Sequence, residues 1–449
     1  MLNYIWLGLI VMGVIIGGCS GNMKAMADRS LEMARTAVMD IALPLVGIMA
    51  LWLGVMRLAE RSGMVAIFSR ALRPLMRRLF PDVPPEHPAM GAMLMNIAAN
   101  ILGLGNAATP LGIRAMKDLE TLNPRPGTAT NAMCTFLAIC TSSIQLVPVT
   151  AMAILAANHS SNPSAIVGTS IIATTCAALS GVTMAKLLER LPIFRLPPTP
   201  ITVAQTSAEK STPDTESVKL PIREAENLQP LQWWGRLILI AFALFFTYFF
   251  VRLAFPAALN LPVPDEMVRQ NTFVRIVGAI STLSVPLLLS IFPLYAALRR
   301  VKVYEEFVDG AREGFEVGVR IIPYMVAILV AIGIFRAAGG IDLLSKALAP
   351  AMAFVGFPTD LLPLVLMRPL SGSGTLGVFT ELVQHLGPDH LVSRMAGTIY
   401  GSTETTFYVL AVYFGAVGIK RTRYAVLAGL TADLVGVIAS VSICKLVFG

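Results

Sequence analysis

ALPLVGIMALWLGVMRLAERSGMVAIFSRALRPLM (Ala42 to Met76) runs parallel to IIPYMVAILVAIGIFRAAGGIDLLSKALAPAM (Ile321 to Met352). Pro44 matches Pro323, Gly54 matches Gly333 and Arg57 matches Arg336 at one offset; after a short gap Pro74 matches Pro350. Further along, NILGLGNA (Asn100 to Ala107) lies against PLSGSGTL (Pro369 to Leu376), so that Gly103 and Gly105 coincide with Gly372 and Gly374. Internal duplication of long apolar segments is a signature of secondary-transporter folds.

The chain around these repeats is built for lipid. Of its 449 residues 55% are hydrophobic and only 14% charged, too few charges to cover a soluble surface. Leu237 to Val251 (LILIAFALFFTYFFV) carries no charge and is entered through Trp233, Trp234 and Arg236, as interfacial anchors require. The net charge of +8 reads as cytoplasmic loops; with no basic stripe interleaved with aromatics, nucleic acid is not an expected partner. Five cysteines (Cys19, Cys134, Cys140, Cys176 and Cys444) form no CxxC pair, which suggests neither disulfides nor zinc. Ile16-Gly17-Gly18-Cys19 loosely resembles a lipoprotein cleavage site. No Lys or Arg precedes that apolar run, however, and it reads as a spanning helix.

The expected fold is an all-α polytopic membrane protein. It has two inverted repeats with re-entrant helical hairpins and broken helices, and about nine spanning helices at ~20 residues each. The first repeat covers residues 1–195, a polar Pro/Ser/Thr-rich linker 196–232, a connecting span 233–258 and the second repeat 259–449. Each repeat reads as a span (Leu2 to Gly18; Phe273 to Leu298) and a second span (Val38 to Leu58; Val319 to Arg336), followed by an amphipathic helix (Met64 to Leu79; Ile341 to Ala353). A glycine-interrupted hairpin comes next (Met90 to Met116; Leu361 to Val383), then two closing spans (Ala129 to Ala156 and Ala165 to Leu188; Met395 to Val417 and Tyr424 to Val447). Four crossings per repeat plus the connecting span turn the second repeat upside down. The basic residues agree with inversion. Arg57, Arg61, Arg70, Arg73, Arg77 and Arg78 crowd one loop of the first repeat against Arg336 and Lys346 in its counterpart. Between the last two spans, Lys420, Arg421 and Arg423 face a loop (His159 to Ser164) with no Lys or Arg. This places the N-terminus and linker in the cytoplasm and the C-terminus outside.

Polar groups at bilayer depth are costly and hence functional candidates. Asn96, Asn100, Asn106 and Thr109 surround the first glycine break, with Asn96 and Asn100 on one helical face. Arg368, Ser371, Ser373 and Thr375 surround the second. Thr141, Ser142, Ser143 and Gln145 lie inside one span; Ser402, Thr403, Glu404, Thr405 and Thr406 occupy the equivalent place in the other repeat. A glycine break exposes backbone N–H groups at one half-helix and carbonyls at the other, which suits anionic or electron-rich groups and cations respectively. Gly103, Gly105, Gly372 and Gly374 let the backbone turn and approach a ligand; small residues also serve plain helix packing. Gly372 to Gly377 is formally GxGxxG, but without a preceding strand it carries no dinucleotide meaning. Glu404 and Asp433 are mid-span carboxylates that need a partner, a coupling ion or a proton, while Arg368 could pair with one of them or meet an anionic solute. His87, His159, His385 and His390 read as solvated loop or helix-end residues.

NIAANILGLGNAATPLGIRAM (Asn96 to Met116) resembles spore maturation protein A. RPLSGSGTLG (Arg368 to Gly377) and YGSTETTFYVLAVYFGAVGIKRTRYA (Tyr400 to Ala425) resemble spore maturation protein B. The chain thus resembles a fusion of the two, within the nucleoside-recognition or Gate group, which is similar to parts of concentrative nucleoside transporters and bacterial ferrous-iron permeases. The resemblance implies a bacterial inner-membrane protein with a transporter-like core. It puts Asn100, Gly103, Gly105, Asn106, Arg368, Ser371, Gly372, Ser373, Gly374, Ser402, Thr403 and Glu404 at stake, with no Cys or His among them to suggest a soft metal. The functional expectation is a secondary transporter of a small polar or anionic solute, nucleoside-like solutes included, working by alternating access, with H⁺ or Na⁺ coupling, no other cofactor and no enzymatic motif. A non-transporting scaffold or receptor in envelope or spore maturation, and a cation permease, are the alternatives. Homo-oligomerisation is left open.

Overall fold

A computed structural model describes residues 2–103, 105–194, 230–259, 270–340, 343 and 356–449. The described residues of the first repeat form α1 (Leu2–Ser20), α2 (Met23–Thr36), α3 (Leu43–Arg61), α4 (Met64–Leu79), α5 (Pro88–Ile101), α6 (Gly105–Glu120), α7 (Asn131–Ser142), α8 (Val149–Ala157) and α9 (Ile166–Arg190). A π-helical stretch, Ala37–Ala42, joins α2 to α3 without interruption. After α10 (Trp233–Ala254) come α11 (Thr272–Leu298), α12 (Val303–Ala337), α13 (Leu362–Met367), α14 (Gly372–Leu386), α15 (Leu391–Ser402), α16 (Thr406–Gly415) and α17 (Ala425–Phe448). The series repeats: α11 answers α1, α12 answers α2–α3, α13–α14 answers α5–α6, α15–α16 answers α7–α8 and α17 answers α9. The amphipathic helix expected over Ile341 to Ala353, and nearly all of the linker, lie outside the described residues.

Six helices among the described residues are long and apolar enough to cross a membrane. Counted as single crossings, α1 and the two broken pairs supply the rest of the expected set. Two expectations need correction. The spans over Ala129 to Ala156 and Met395 to Val417 are not continuous: each unwinds midway, over 143–148 and 403–405. The second spans are also far longer than their apolar cores, since Met23–Arg61 and Val303–Ala337 continue into polar sequence. At 1.5 Å per residue they reach roughly 50–60 Å, well beyond a hydrocarbon core of ~30 Å.

Inversion is visible in the pairing of equivalent helices. Gly54 of α3 meets Phe307 of α12, Gly310 meets Leu53 and Arg57, Gly314 meets Met49 and Ala50, and Gly318 meets Val46. One helix ascends as the other descends. In the same way Gly181 of α9 lies on Ala432 of α17 and Gly436 lies on Ala177. Two equivalent pairs, each antiparallel, require repeats related by a two-fold axis across the helices. The ends of the bundle agree. The turn after α16 bonds to the turn before α7, with Lys420 N and Arg421 N both donating to Gly127 O (2.9 and 3.0 Å). At the other end, the Ser160 hydroxyl and Ser161 N in the turn before α9 donate to Asp389 in the turn before α15 (2.7 and 2.9 Å).

Close packing between the repeats follows from glycine. Gly310, Gly314 and Gly318 recur every fourth residue and so form one smooth face of α12, on which the α3 backbone rests directly. Beside this seam Glu306 accepts from Arg57 Nε (3.3 Å) and Arg61 Nε (3.1 Å). Those two arginines, read from sequence as members of a basic loop, are instead α3 residues ion-paired across the repeats. The breaks also interlock the halves. Ala151 to Leu155 of α8 bury in a core with α13, α14 and α15 of the second repeat. Val409, Leu410, Tyr413 and Phe414 of α16 bury with α5, α6 and α7 of the first.

Candidate functional site

Each hairpin tip is held by the broken helix of its own repeat. The first tip turns at Gly103, whose φ of +79° is a left-handed conformation that favours glycine. Its Ile101 carbonyl accepts from Leu146 N (3.0 Å). The second tip turns between α13 and α14, and there the Pro369 carbonyl accepts from Phe407 N (3.0 Å). The second break then reaches the end of α7, just before the first break, because Glu404 N donates to Thr141 O at 2.7 Å. Tips and breaks from both repeats therefore form one contiguous junction inside the bundle.

Within it, the first-repeat side is largely satisfied by the protein itself. Asn96 is fully buried; its Nδ2 donates to Ala108 O (2.6 Å) and the Tyr413 hydroxyl (3.3 Å), and its Oδ1 accepts from Asn100 (3.4 Å) and Cys140 (3.3 Å). It latches both arms of the hairpin to α16, which is a structural task. The Ser142 hydroxyl bonds back to Ile139 O, Gln145 donates to the Ser143 hydroxyl, and Thr174 of α9 donates to the freed carbonyls of Ser142 and Ser143 (2.9 and 3.1 Å). Thr109 is half-buried on α6. Gly105 opens α6, and the side chain of Asn106 is outside what is described.

The second-repeat side is not satisfied. Ser371 caps α14 by accepting from Gly374 N (3.0 Å) and touches the Ser373 hydroxyl (3.3 Å), while Thr375 bonds back to Ser371 O. A Cβ on Gly372 would stand 3.1 Å from Thr405 Oγ1, and one on Gly374 2.9 Å from Met367 Sδ, so glycine lets the break and the hairpin close on each other. Ser402 is bonded to Ile399 O and by Ser440. The hydroxyls of Thr403 and Thr405 are buried, with no partner among the described residues. Arg368 is 3% exposed and lies over the Tyr400 ring (4.7 Å); among the described residues it donates once, to Tyr400 O at 2.8 Å, and its Nε has no partner. It forms no ion pair with either mid-span acid. Asp433, 5% exposed, accepts from the Thr406 hydroxyl (2.7 Å) through Oδ2 and leaves Oδ1 unpartnered. Glu404 is half-buried, and no hydrogen bond or ion pair of its carboxylate is found among the described residues. Asp433 and Thr174 are each the ninth residue of their helices. Equivalent positions thus hold a capping hydroxyl in one repeat and a carboxylate in the other.

Sequence reading missed Tyr400, Tyr413 and Thr174, whose roles come from contacts that no local pattern announces. It also missed Glu381, which is buried on α14 and ion-paired with Arg336; a lone acid inside GVFTELVQ was the available signal. His87 and His390, expected to be solvated, cap α5 and α15 by accepting backbone N–H groups through Nδ1. A cavity of about 300 Å³ touches the second hairpin through Met367 and Leu370, but its walls are apolar apart from Arg336, Glu381 and Asp360, and no residue of either break lines it. The unpaired polar atoms, not this cavity, mark the candidate site.

Inverted repeats with paired hairpins and broken helices define a membrane protein with the architecture of secondary-transporter folds. The Gate family, described as nucleoside recognition, matches residues 42–158 and 318–420. The chain is 45% identical over 175 residues to spore maturation protein B of Bacillus subtilis (strain 168), covering 39% of this chain and 98% of that protein. It is 44% identical over 182 residues to spore maturation protein A of the same organism, covering 40% of this chain and 92% of that protein. The chain belongs to the spore maturation protein A/B family and joins both types in one polypeptide. No solved structure matches it.

Proposed function

We propose that this chain is a secondary transporter that moves a small polar or anionic solute by alternating access, with its site at the junction of the hairpin tips and helix breaks. The observation that carries the reading is the Glu404 N to Thr141 O bond (2.7 Å), which ties the unwound segment of the second repeat to the last turn of α7, where the first repeat's helix breaks, inside a packed bundle. Non-helical backbone at membrane depth is tolerated where it lines a cavity or is buried in protein, and inverted repeats supply two related packings to rock between. Glu404 and Asp433 are the groups on which a coupling H⁺ or Na⁺ would ride. The basic content of the loops supports an inner-membrane location with the N-terminus and linker in the cytoplasm.

Uptake and efflux across a metabolite panel in proteoliposomes, with Glu404→Gln as control, test the proposal; absence of flux for every solute in well-folded vesicles would overturn it. The names of the relatives favour a second reading, a non-transporting scaffold in envelope or spore maturation. That reading predicts that alanine at Arg368, Thr403 and Thr405 leaves the cellular phenotype intact. Metal-dependent thermal stabilisation would favour a cation permease instead.

A further inference from the structure

We propose that the group bound at the second hairpin is an oxyanion, the carboxylate or phosphate of the solute, held by Arg368. The inference rests on the junction being a solute site and names the chemistry of what it takes.

A guanidinium carries five donors in a planar fork. Arg368 spends one of them, on Tyr400 O, and buries an unpartnered Nε. A buried cation without a counter-charge is among the most expensive things a protein can hold. Neither nearby acid pays that cost at contact distance: Asp433 is bonded to Thr406 and influences Arg368 only through its longer-range field, and Glu404 forms no ion pair. Polar atoms at the turn that follows Arg368 in the chain are also of the right kind. Thr405 Oγ1, buried and unpartnered, lies against Gly372 at the start of α14. Ser371 takes up the amide of Gly374, leaving the first amides of that helix without intrahelical acceptors. A guanidinium fork, free hydroxyls and a helix N-terminus all donate, and their common acceptor is an oxyanion. Among the described residues Arg368 is the one fully buried arginine, and it lies in the second repeat; in the first, Thr174 donates to the carbonyls of Ser142 and Ser143. The asymmetry between the repeats locates the anion on the second hairpin.

The test uses the full chain in nanodiscs and follows thermal melting with sulfate, inorganic phosphate or succinate, each against chloride at equal ionic strength, with succinamide and uridine as neutral probes. At least one oxyanion should stabilise the wild type saturably, and the neutral probes should not. Arg368→Gln should weaken that apparent affinity at least ten-fold. Arg368→Lys, which keeps charge but loses the fork, should fall between, and Thr405→Val should weaken it several-fold. Lack of a saturable response to every oxyanion overturns the inference, as does equal stabilisation of wild type and Arg368→Gln by uridine. If neither Arg368 variant folds, unchanged oxyanion affinity in Thr405→Val overturns it. Oxyanion binding without flux would sink the transport reading alone; flux of a neutral solute indifferent to Arg368 would sink this one alone.

Discussion

Gly314→Ala is expected to loosen the seam between the repeats. A Cβ built on Gly314 stands 2.7 Å from Ala50 Cα and Met49 O and 2.9 Å from Ala50 N, all backbone atoms of α3 that no rotamer change can move. Ordinary carbon contacts lie at ~3.5–4.0 Å, so the two helices must part locally by about 1 Å. Overpacking of this kind costs about 1–3 kcal/mol, and the better helix propensity of alanine returns at most about 1 kcal/mol. The net expectation is a loss of roughly 1–2 kcal/mol for one substitution. The loss should grow when Gly310 and Gly318 are also replaced, since their Cβ atoms would meet Leu53 O at 2.6 Å and Val46 Cγ2 at 2.7 Å. Gly278 of α11 is the control, with nothing within 4 Å of its Cβ position. Unfolding in mixed detergent micelles measures both. Gly314→Ala as stable as wild type, or stabilised like Gly278→Ala, would refute the argument that the α3–α12 contact is set by backbone approach.

Glu306→Gln removes the shared partner of Arg57 and Arg61 and should cost about 1–3 kcal/mol in the same unfolding assay; no change would mean that the pair is solvated. Asn96→Ala empties a buried position with four hydrogen-bond contacts and should lose about 1–3 kcal/mol, whereas Tyr413→Phe, which removes only the 3.3 Å contact, should lose less. In the turn before α15, burial pushes the Asp389 carboxyl up. The Ser161 amide, the Ser160 hydroxyl and Arg394 outweigh it and hold the carboxyl at about 2. The folded value lies below the ordinary one of ~3.9, so this contribution is complete above pH ~4 and is lost as pH falls towards 2. The melting temperature of Asp389→Asn should therefore drop less steeply than that of wild type over that acid range.

The duplication and the hairpins were legible because glycine at a tight turn and apolar length in a membrane leave few alternatives. The breaks were not. Thr141-Ser142-Ser143 and Ser402 to Thr406 read as polar patches inside continuous helices, and threonine-rich sequence only weakly opposes a helix. Pro148 was the one local sign, since the residue before a proline is pushed out of the helical region; the second break has no proline. Arg57 and Arg61 were read as loop charges because Glu306, their partner, lies in the other repeat. Arg368 stands out in the sequence by its burial cost and by the resemblance, while its support, Tyr400, is supplied by a different helix that only the tertiary fold brings near.

Alternating access at this junction depends on the repeats facing opposite ways across the lipid. Labelling tags placed before Leu2 and after Gly449 with a membrane-impermeant reagent, in intact cells and in opened membranes, tests this directly. The inverted architecture predicts that the two ends react from opposite faces, with the C-terminal tag accessible from outside. Labelling of both ends from one face would contradict it.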